Sequence, residues 1–233
     1  MKKSFLFIAT CLLFLDGCAF GIAGSGNVIT EKRSVEKFSG ITLQCAANVY
    51  FTQGDQESVS VEGEDNIVPL ITTTVKNGKL VIDAEKEYSS TQPVNVHVTV
   101  KELCWLELAG SGNMIGRGPI NCDRMTLRVD GSGDLKIDVH SLGVKMSLSG
   151  SGNLDVNGVA TETDVRIAGS GNVNSEKLKA NSGAVIITGS GIAKVNTTDE
   201  LNVQITGSGN VQFVSQPPKF IKNITGSGTV TKI

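Results

Sequence analysis

Eight serines sit between paired glycines: Ser25, Ser111, Ser132, Ser151, Ser170, Ser190, Ser208 and Ser227. A serine on a glycine turn becomes a nucleophile only beside a base. The chain has two histidines, His97 and His140, which cannot serve eight sites. No Gly-x-Ser-x-Gly falls in a strand-turn-helix setting, and no Gly-x-x-x-x-Gly-Lys-Ser/Thr loop exists. No helix is predicted after Gly-Ser-Gly-Asn, so the backbone amides of an anion site are missing. The Cys and His spacing offers no zinc site, and no cofactor is expected. Calcium-binding β-rolls need a nine-residue period with a recurring Asp; only Asp134 falls in the corresponding row here. Glycan hydrolysis uses a carboxylate pair about 5–9 Å apart, whereas Asp and Glu are scattered along this chain. His97, between Val96 and Val98, reads as an outward strand residue. Trp105 is placed for packing under a loop, with sugar stacking as the alternative.

The elements that would position these residues follow from the triplets. From Gly110 onward Gly-Ser-Gly recurs at intervals of 21, 19, 19, 20, 18 and 19 residues. The turn glycines are Gly110 and Gly112, Gly131 and Gly133, Gly150 and Gly152, Gly169 and Gly171, Gly189 and Gly191, Gly207 and Gly209, and Gly226 and Gly228. A constant period near 20 residues marks a solenoid. Two residues before each triplet stand Leu108, Val129, Leu148, Ile167, Ile187, Ile205 and Ile224. Four before are Leu106, Leu127, Met146, Val165, Val185 and Val203, with Lys222 breaking the row. Four after the first glycine are Met114, Leu135, Leu154, Val173, Ala193, Val211 and Val230. Polar residues such as Ser147, Arg166 and Lys136 alternate with them, which is the pattern of strands with one buried face.

A unit of about 19 residues, at about 3.3 Å each, makes a circuit of about 63 Å. Such a strip buries its apolar face only by stacking on its neighbours. The expected fold is all-β: a right-handed parallel β-helix, a β-solenoid with rungs of about 19 residues in the C-terminal half and a more irregular β N-terminal half. The rival is an antiparallel meander with hairpins at the triplets, but the buried parity continues unchanged across each triplet. Glycines fit the bends by lacking a side chain or taking positive φ. Asn113, Asn153, Asn172 and Asn210, with Asp134 in the same row, are placed to stack as a side-chain ladder.

The first residues carry an export pattern. Lys2 and Lys3 precede an apolar stretch over residues 5–15, too short to span a bilayer. Leu15-Asp16-Gly17-Cys18 resembles a bacterial lipoprotein signal, with Asp16 where a small uncharged residue is usual. Cys18 would then carry acyl chains, each buried methylene contributing about 0.8 kcal/mol. The alternative is an ordinary secretory signal cut near Ala19 or Ala23. The domain reading is a signal peptide over 1–17, a tether over 18–23 and one β-solenoid domain over 24–233, irregular over 24–103 and repetitive over 104–233. Cys45, Cys104 and Cys122 allow at most one disulfide among them. Cys104 lies six residues before its triplet and Cys122 nine before the next, so alternation puts them on opposite faces, and free, mostly buried thiols are expected.

Residues 24–103 read as strands at 41–43, 49–51, 59–61, 79–82 and 94–98. Asn77-Gly78 predicts a hairpin, and residues 65–71 predict a short helical turn capped by Asp65 or Asn66. Pro217-Pro218 interrupts the final rungs, and Lys222 and Lys232 fit a polar terminal cap.

The order of motifs resembles one bacterial family, the "putative auto-transporter adhesin, head GIN domain". The residues that carry the resemblance are Gly24-Ser25-Gly26-Asn27, Arg33-Ser34-Val35 and Phe38-Ser39-Gly40-Ile41. Val49 with Gln53-Gly54, Val59-Ser60-Val61 and Asn66-Ile67 follow. Val75-Lys76-Asn77-Gly78-Lys79-Leu80-Val81-Ile82 and the serial triplets complete it. The resemblance covers about residues 24–233 and implies an exported β-helical protein with no catalytic residues to transfer.

Net charge is −2 and 19% of residues are charged, which argues against a nucleic-acid partner. The expected function is a non-catalytic, lipid-anchored β-solenoid of the bacterial cell envelope, at the outer membrane. It would bind an extracellular or envelope polymer or protein through its outer faces. Two alternatives remain: a periplasmic structural or regulatory envelope protein, and a polysaccharide-active enzyme.

Overall fold

The computed structural model describes residues 21–233; Cys18, the expected signal peptide over 1–17 and the first half of the expected tether lie outside the described residues. The described chain is nearly all strand, with one 3-10 turn (Val68–Leu70) and no α-helix among the described residues. In order come β1 (Ile22–Ala23), β2 (Val28–Arg33), β3 (Gly40–Leu43), β4 (Asn48–Gln53) and β5 (Ser58–Glu64). Next are β6 (Ile71–Lys76), β7 (Lys79–Ala84), β8 (Tyr88–Ser89), β9 (Asn95–Val100) and β10 (Trp105–Leu108). Five long strands follow: β11 (Asn113–Val129), β12 (Asp134–Gly150), β13 (Asn153–Gly169), β14 (Asn172–Gly189) and β15 (Ile192–Gly207). The chain closes with β16 (Asn210–Phe213), β17 (Lys219–Gly226) and β18 (Thr229–Lys232).

From β10 to β18 every pairing is parallel, and the coils form a β-solenoid of about seven turns. The antiparallel meander is thereby excluded for the repeat. The register repeats the triplet period: Leu135 pairs with Leu154, which pairs with Val173. The three aliphatic rows become buried columns, Leu108, Val129, Leu148, Ile167, Ile187 and Ile205 among them. They join one continuous core with Ile41, Val49, Leu80 and Val96 of the N-terminal half. In the last coil Ile224 and Val230 are only half-buried, and Lys222 and Lys232 are exposed.

The N-terminal half supplies two further coils, and their order in space differs from their order in the chain. Parallel pairs run β7–β3–β10 on one side and β9–β4–β11 on the other. The β3/β4 coil, first in sequence, is therefore sandwiched between the β7/β9 coil and the regular rungs. The end beyond β7/β9 is covered by antiparallel strands: β5 on β9, β2 on β5, and β6 on β7. The β6–β7 hairpin turns at Asn77 and Gly78, both at positive φ (52° and 73°), which is the primed turn that Asn-Gly favours. The 3-10 turn forms at 68–70, but its N-cap is Ile67 with no side-chain hydrogen bond. Asp65 and Asn66 are occupied elsewhere, as follows.

Candidate functional site

The triplet turns set the shape of the outer surface. The second glycine of each is packed against the coil below: a Cβ on Gly171 would run into the Gly152 carbonyl and a Leu148 methyl, and Gly112, Gly133, Gly152, Gly191, Gly209 and Gly228 are as tightly placed. The first glycine takes positive φ from the third triplet onward, at Gly150, Gly169, Gly189, Gly207 and Gly226. Gly110 and Gly131 do not, and there the close approach of a carbonyl is the constraint. The serines between them point outward and are exposed.

Immediately after the turns runs a row of side-chain amides. Asn172 Nδ2 donates to Asn153 Oδ1 (3.0 Å), and Asn153 Nδ2 to Asp134 Oδ1 (2.8 Å). Asp134 has no side-chain N–H, so its backbone amide donates to Asn113 Oδ1 (3.3 Å). The row continues past the repeat: Asn113 to Asn48, Asn48 to Asn95, and Asn95 to Glu62 Oε1. Ile192 interrupts it, and Thr229 Oγ1 resumes by donating to Asn210 Oδ1 (2.5 Å). Asn48, Asn95 and Glu62 were not foreseen. The signal was there: Ala47-Asn48-Val49 and Val94-Asn95-Val96 match Gly112-Asn113-Met114, with the glycine replaced.

A large concavity also lies on the outside. A groove of about 540 Å³ crosses β11 to β15. Arg124, Gly143, Glu162, Ser182 and Glu200 stand in register along one side, and Thr126, Lys145, Asp164, Ala184 and Asn202 along the other. Gly143 and Ala184, with no side chain beyond a methyl, keep parts of its lining low. It gathers three carboxylates, Glu162, Asp164 and Glu200, that the sequence showed as scattered. Each has a cation: Arg124 for Glu162 (2.7 Å), Arg166 for Asp164 (3.0 Å) and Lys219 for Glu200 (2.8 Å). Asp164 Oδ1 is buried without a hydrogen-bond donor, and Lys145 makes no ion pair among the described residues. Donors and acceptors of both signs thus line a strip that follows the solenoid axis. That suits an extended polar chain better than a small molecule held on all sides.

Two other outer clusters are already self-satisfied. Lys79 Nζ lies 3.3 Å from the Trp105 ring centroid, and Trp105 Nε1 donates to Glu107 (3.3 Å). Trp105 is therefore half-buried, with an ammonium against its ring. His97 faces outward as expected, stacked on Tyr50 at 5.4 Å, and Arg117 lies 4.3 Å from the Tyr50 ring centroid. No group of His, Cys, Asp or Glu suited to a metal occurs among the described residues.

At the N-terminal end Gly24-Ser25-Gly26-Asn27 acts as a clamp partner and not as a rung turn. Glu64 is fully buried and accepts from the Gly26 amide (2.8 Å), the Thr91 hydroxyl (2.7 Å) and amide (3.1 Å), and the Ser90 hydroxyl. The Ser90 and Thr91 hydroxyls hold its carboxyl down to about 2. Asp65 accepts from Asn27 and Ser25, which lower its pKa as well. Asn66 accepts from the Ser25 amide and donates to the Ala23 carbonyl.

Cys45, Cys104 and Cys122 are free thiols, as expected. Their expected burial is corrected: Cys104 is exposed, and Cys45 and Cys122 are half-buried. Cys104 precedes β10, where strand parity does not apply, and Cys122 lies beyond the irregularity between Ile115 and Pro119.

The fold defines a parallel β-solenoid with regular outer rows. Residues 37–217 match the family described as "Putative auto-transporter adhesin, head GIN domain", and the chain belongs to that family. Among solved structures, one from Bacteroides fragilis described as a putative adhesin aligns with TM-score 0.87 at 24% identity, covering 91% of this chain and all of that one. A protein of Parabacteroides distasonis described as a putative lipid binding protein aligns with TM-score 0.76 at 26% identity, over 91% and 99% of the two chains. A putative adhesin from Parabacteroides merdae gives 0.74 at 19% identity, over 91% and 98%. Among curated proteins no sequence match is found.

Proposed function

We propose that this protein is a non-catalytic binding module of the bacterial envelope, held to a membrane through an acylated Cys18, which engages an extended polymer along its outer surface. One observation carries the reading: the interior is filled by aliphatic columns, while the 540 Å³ groove opens outward and crosses five coils. A polymer lying along it would meet a further pair of groove residues at each strand spacing of about 4.8 Å. Each coil then contributes weakly, and length supplies avidity. The adhesin description of the family and of its structural relatives supports a role in attachment. The relative described as lipid binding is consistent with an envelope setting.

The gathered carboxylates favour a second reading, hydrolysis of a polysaccharide. Their pairing with Arg124, Arg166 and Lys219 opposes it, because each carboxylate is already engaged by a cation and none is presented free to a glycosidic oxygen. A panel of glycans and matrix polymers, assayed for binding and for turnover on one preparation, separates the two. The expected result is weak binding that the combined Lys145→Ala, Asp164→Ala and Asn202→Ala variant lowers about tenfold, a loss of about 1.4 kcal/mol, with no turnover. Turnover abolished by Glu162→Gln or Glu200→Gln would replace the binding reading with the enzymatic one.

A further inference from the structure

The two ends of the solenoid are finished differently. At one, the coil of β7 and β9 is covered by the antiparallel strands β2, β5 and β6. At the other, β17 pairs only with β15, and β18 only with β16. The far side of β17, eight residues long, therefore carries a row of backbone N–H and C=O groups with no strand to meet them among the described residues.

The side chains of β17 continue the interior rows. Phe220 and Ile224 pair with the buried Leu201 and Ile205 and are themselves half-buried. Between them Lys222 pairs with the buried Val203, and it is exposed and makes no ion pair among the described residues. Lys219 is already held by Glu200 (2.8 Å). No aspartate or glutamate occurs from 201 to 233. The edge thus presents an apolar, a cationic and an apolar side chain in turn, with no counter-charge of its own.

We infer that the free edge of β17 takes an extended peptide as an added strand, one whose carboxylate is flanked two residues away on each side by apolar side chains. The peptide backbone continues the ladder at the ordinary strand spacing of about 4.8 Å. Its carboxylate meets Lys222, and its apolar side chains cover Phe220 and Ile224. An edge lysine also keeps chains apart: Lys222 repels a cationic strand, the β17 of a second copy included, and admits an acidic one. A bilayer surface offers anionic charge but leaves the N–H and C=O groups of the edge without partners in its apolar layer. This surface is separate from the groove across β11 to β15 and lies at the end of the stack away from β1.

The probe is a fluorescein-labelled, end-blocked heptapeptide with glutamate at its centre, valine two residues to each side and threonine elsewhere, titrated into the full chain in detergent. It should bind about tenfold more tightly than its lysine-centred counterpart, and less tightly as salt rises. N-methylation of one alternate set of its amides should abolish binding while methylation of the other set is tolerated, because successive strand amides point to opposite sides. Lys222→Glu should reverse the preference to the lysine-centred peptide, a gain that a misfolded variant cannot give. Amide exchange should slow in β17 and stay unchanged in β11 to β15. Equal binding of the two peptides, equal tolerance of both methylated forms, or protection in the groove strands instead of β17 overturns the inference. Protection of β17 without peptide, on adding phosphatidylglycerol to the micelles or on raising the protein concentration, gives the edge to a membrane or to a second copy and overturns it as well.

Discussion

Ile167 and Arg166 are neighbours in the chain and opposites in the fold: Ile167 is buried at 2% exposure, while Arg166 is on the surface. Aspartate at 167 would place a charge in a dry aliphatic column, and several kcal/mol of stability should go with it. Arg166→Asp loses only an exposed pairing with Asp164, so its cost should stay below about 1 kcal/mol. Denaturant titration of the two variants checks the register directly. Glu64 gives a second prediction at this scale. Its pKa is lowered to about 2 from 4.5, so its contribution to stability is fully present above about pH 4.5. That contribution fades as pH falls toward 2, where the carboxyl gains a proton and stops accepting from Gly26 and Thr91. Amide exchange at Gly26 and Thr91 should therefore accelerate through that window ahead of exchange in the columns, and Glu64→Gln should exchange fast at neutral pH.

Among the elements, the amide row is the clearest test of stacking. Ile192 sits between Asn172 and Asn210, exposed and unable to relay a hydrogen bond. Ile192→Asn should join the two halves of the row and stabilise the protein by about 0.5–1 kcal/mol, read as a higher melting midpoint. A lower midpoint would mean that strand preference at 192 outweighs the two new bonds. The row also shows what sequence can and cannot reveal. Columns such as Leu148–Ile167–Ile187 were legible because glycine triplets mark their phase. Asn48 and Asn95 lie after Ala47 and Val94, where the marker is lost, so two coils went unseen. The spatial order β7, β3, β10 was illegible for a deeper reason: every coil presents the same aliphatic edge, and local pattern does not choose which edge meets which. The groove is not legible in the sequence, because Glu162, Asp164 and Glu200 converge only through stacking across coils.

For the whole molecule, the proposed attachment at Cys18 falls before the described body. The described body begins at Gly21 and has its own continuous core, so Cys18→Ala should leave folding untouched. It should shift the protein from the detergent-rich to the aqueous phase on partitioning, or leave an uncleaved precursor. Unchanged partitioning and unchanged mass of the variant would argue for the ordinary secretory signal instead. The groove lies on the regular coils, away from the end that carries residue 21, so a tethered molecule would present it outward.

The clamp at that same end has a mechanical consequence. Load applied through residue 21 passes first along Gly24–Asn27 into Glu64, Asp65 and Asn66, with β1 and β2 held in parallel and antiparallel contact. The coils beyond are stacked so that the pull must strip whole rows of backbone bonds before any one of them yields. Under tension at residue 21 the few side-chain contacts of the clamp would be loaded before the coils, which share a pull among whole rows of backbone bonds.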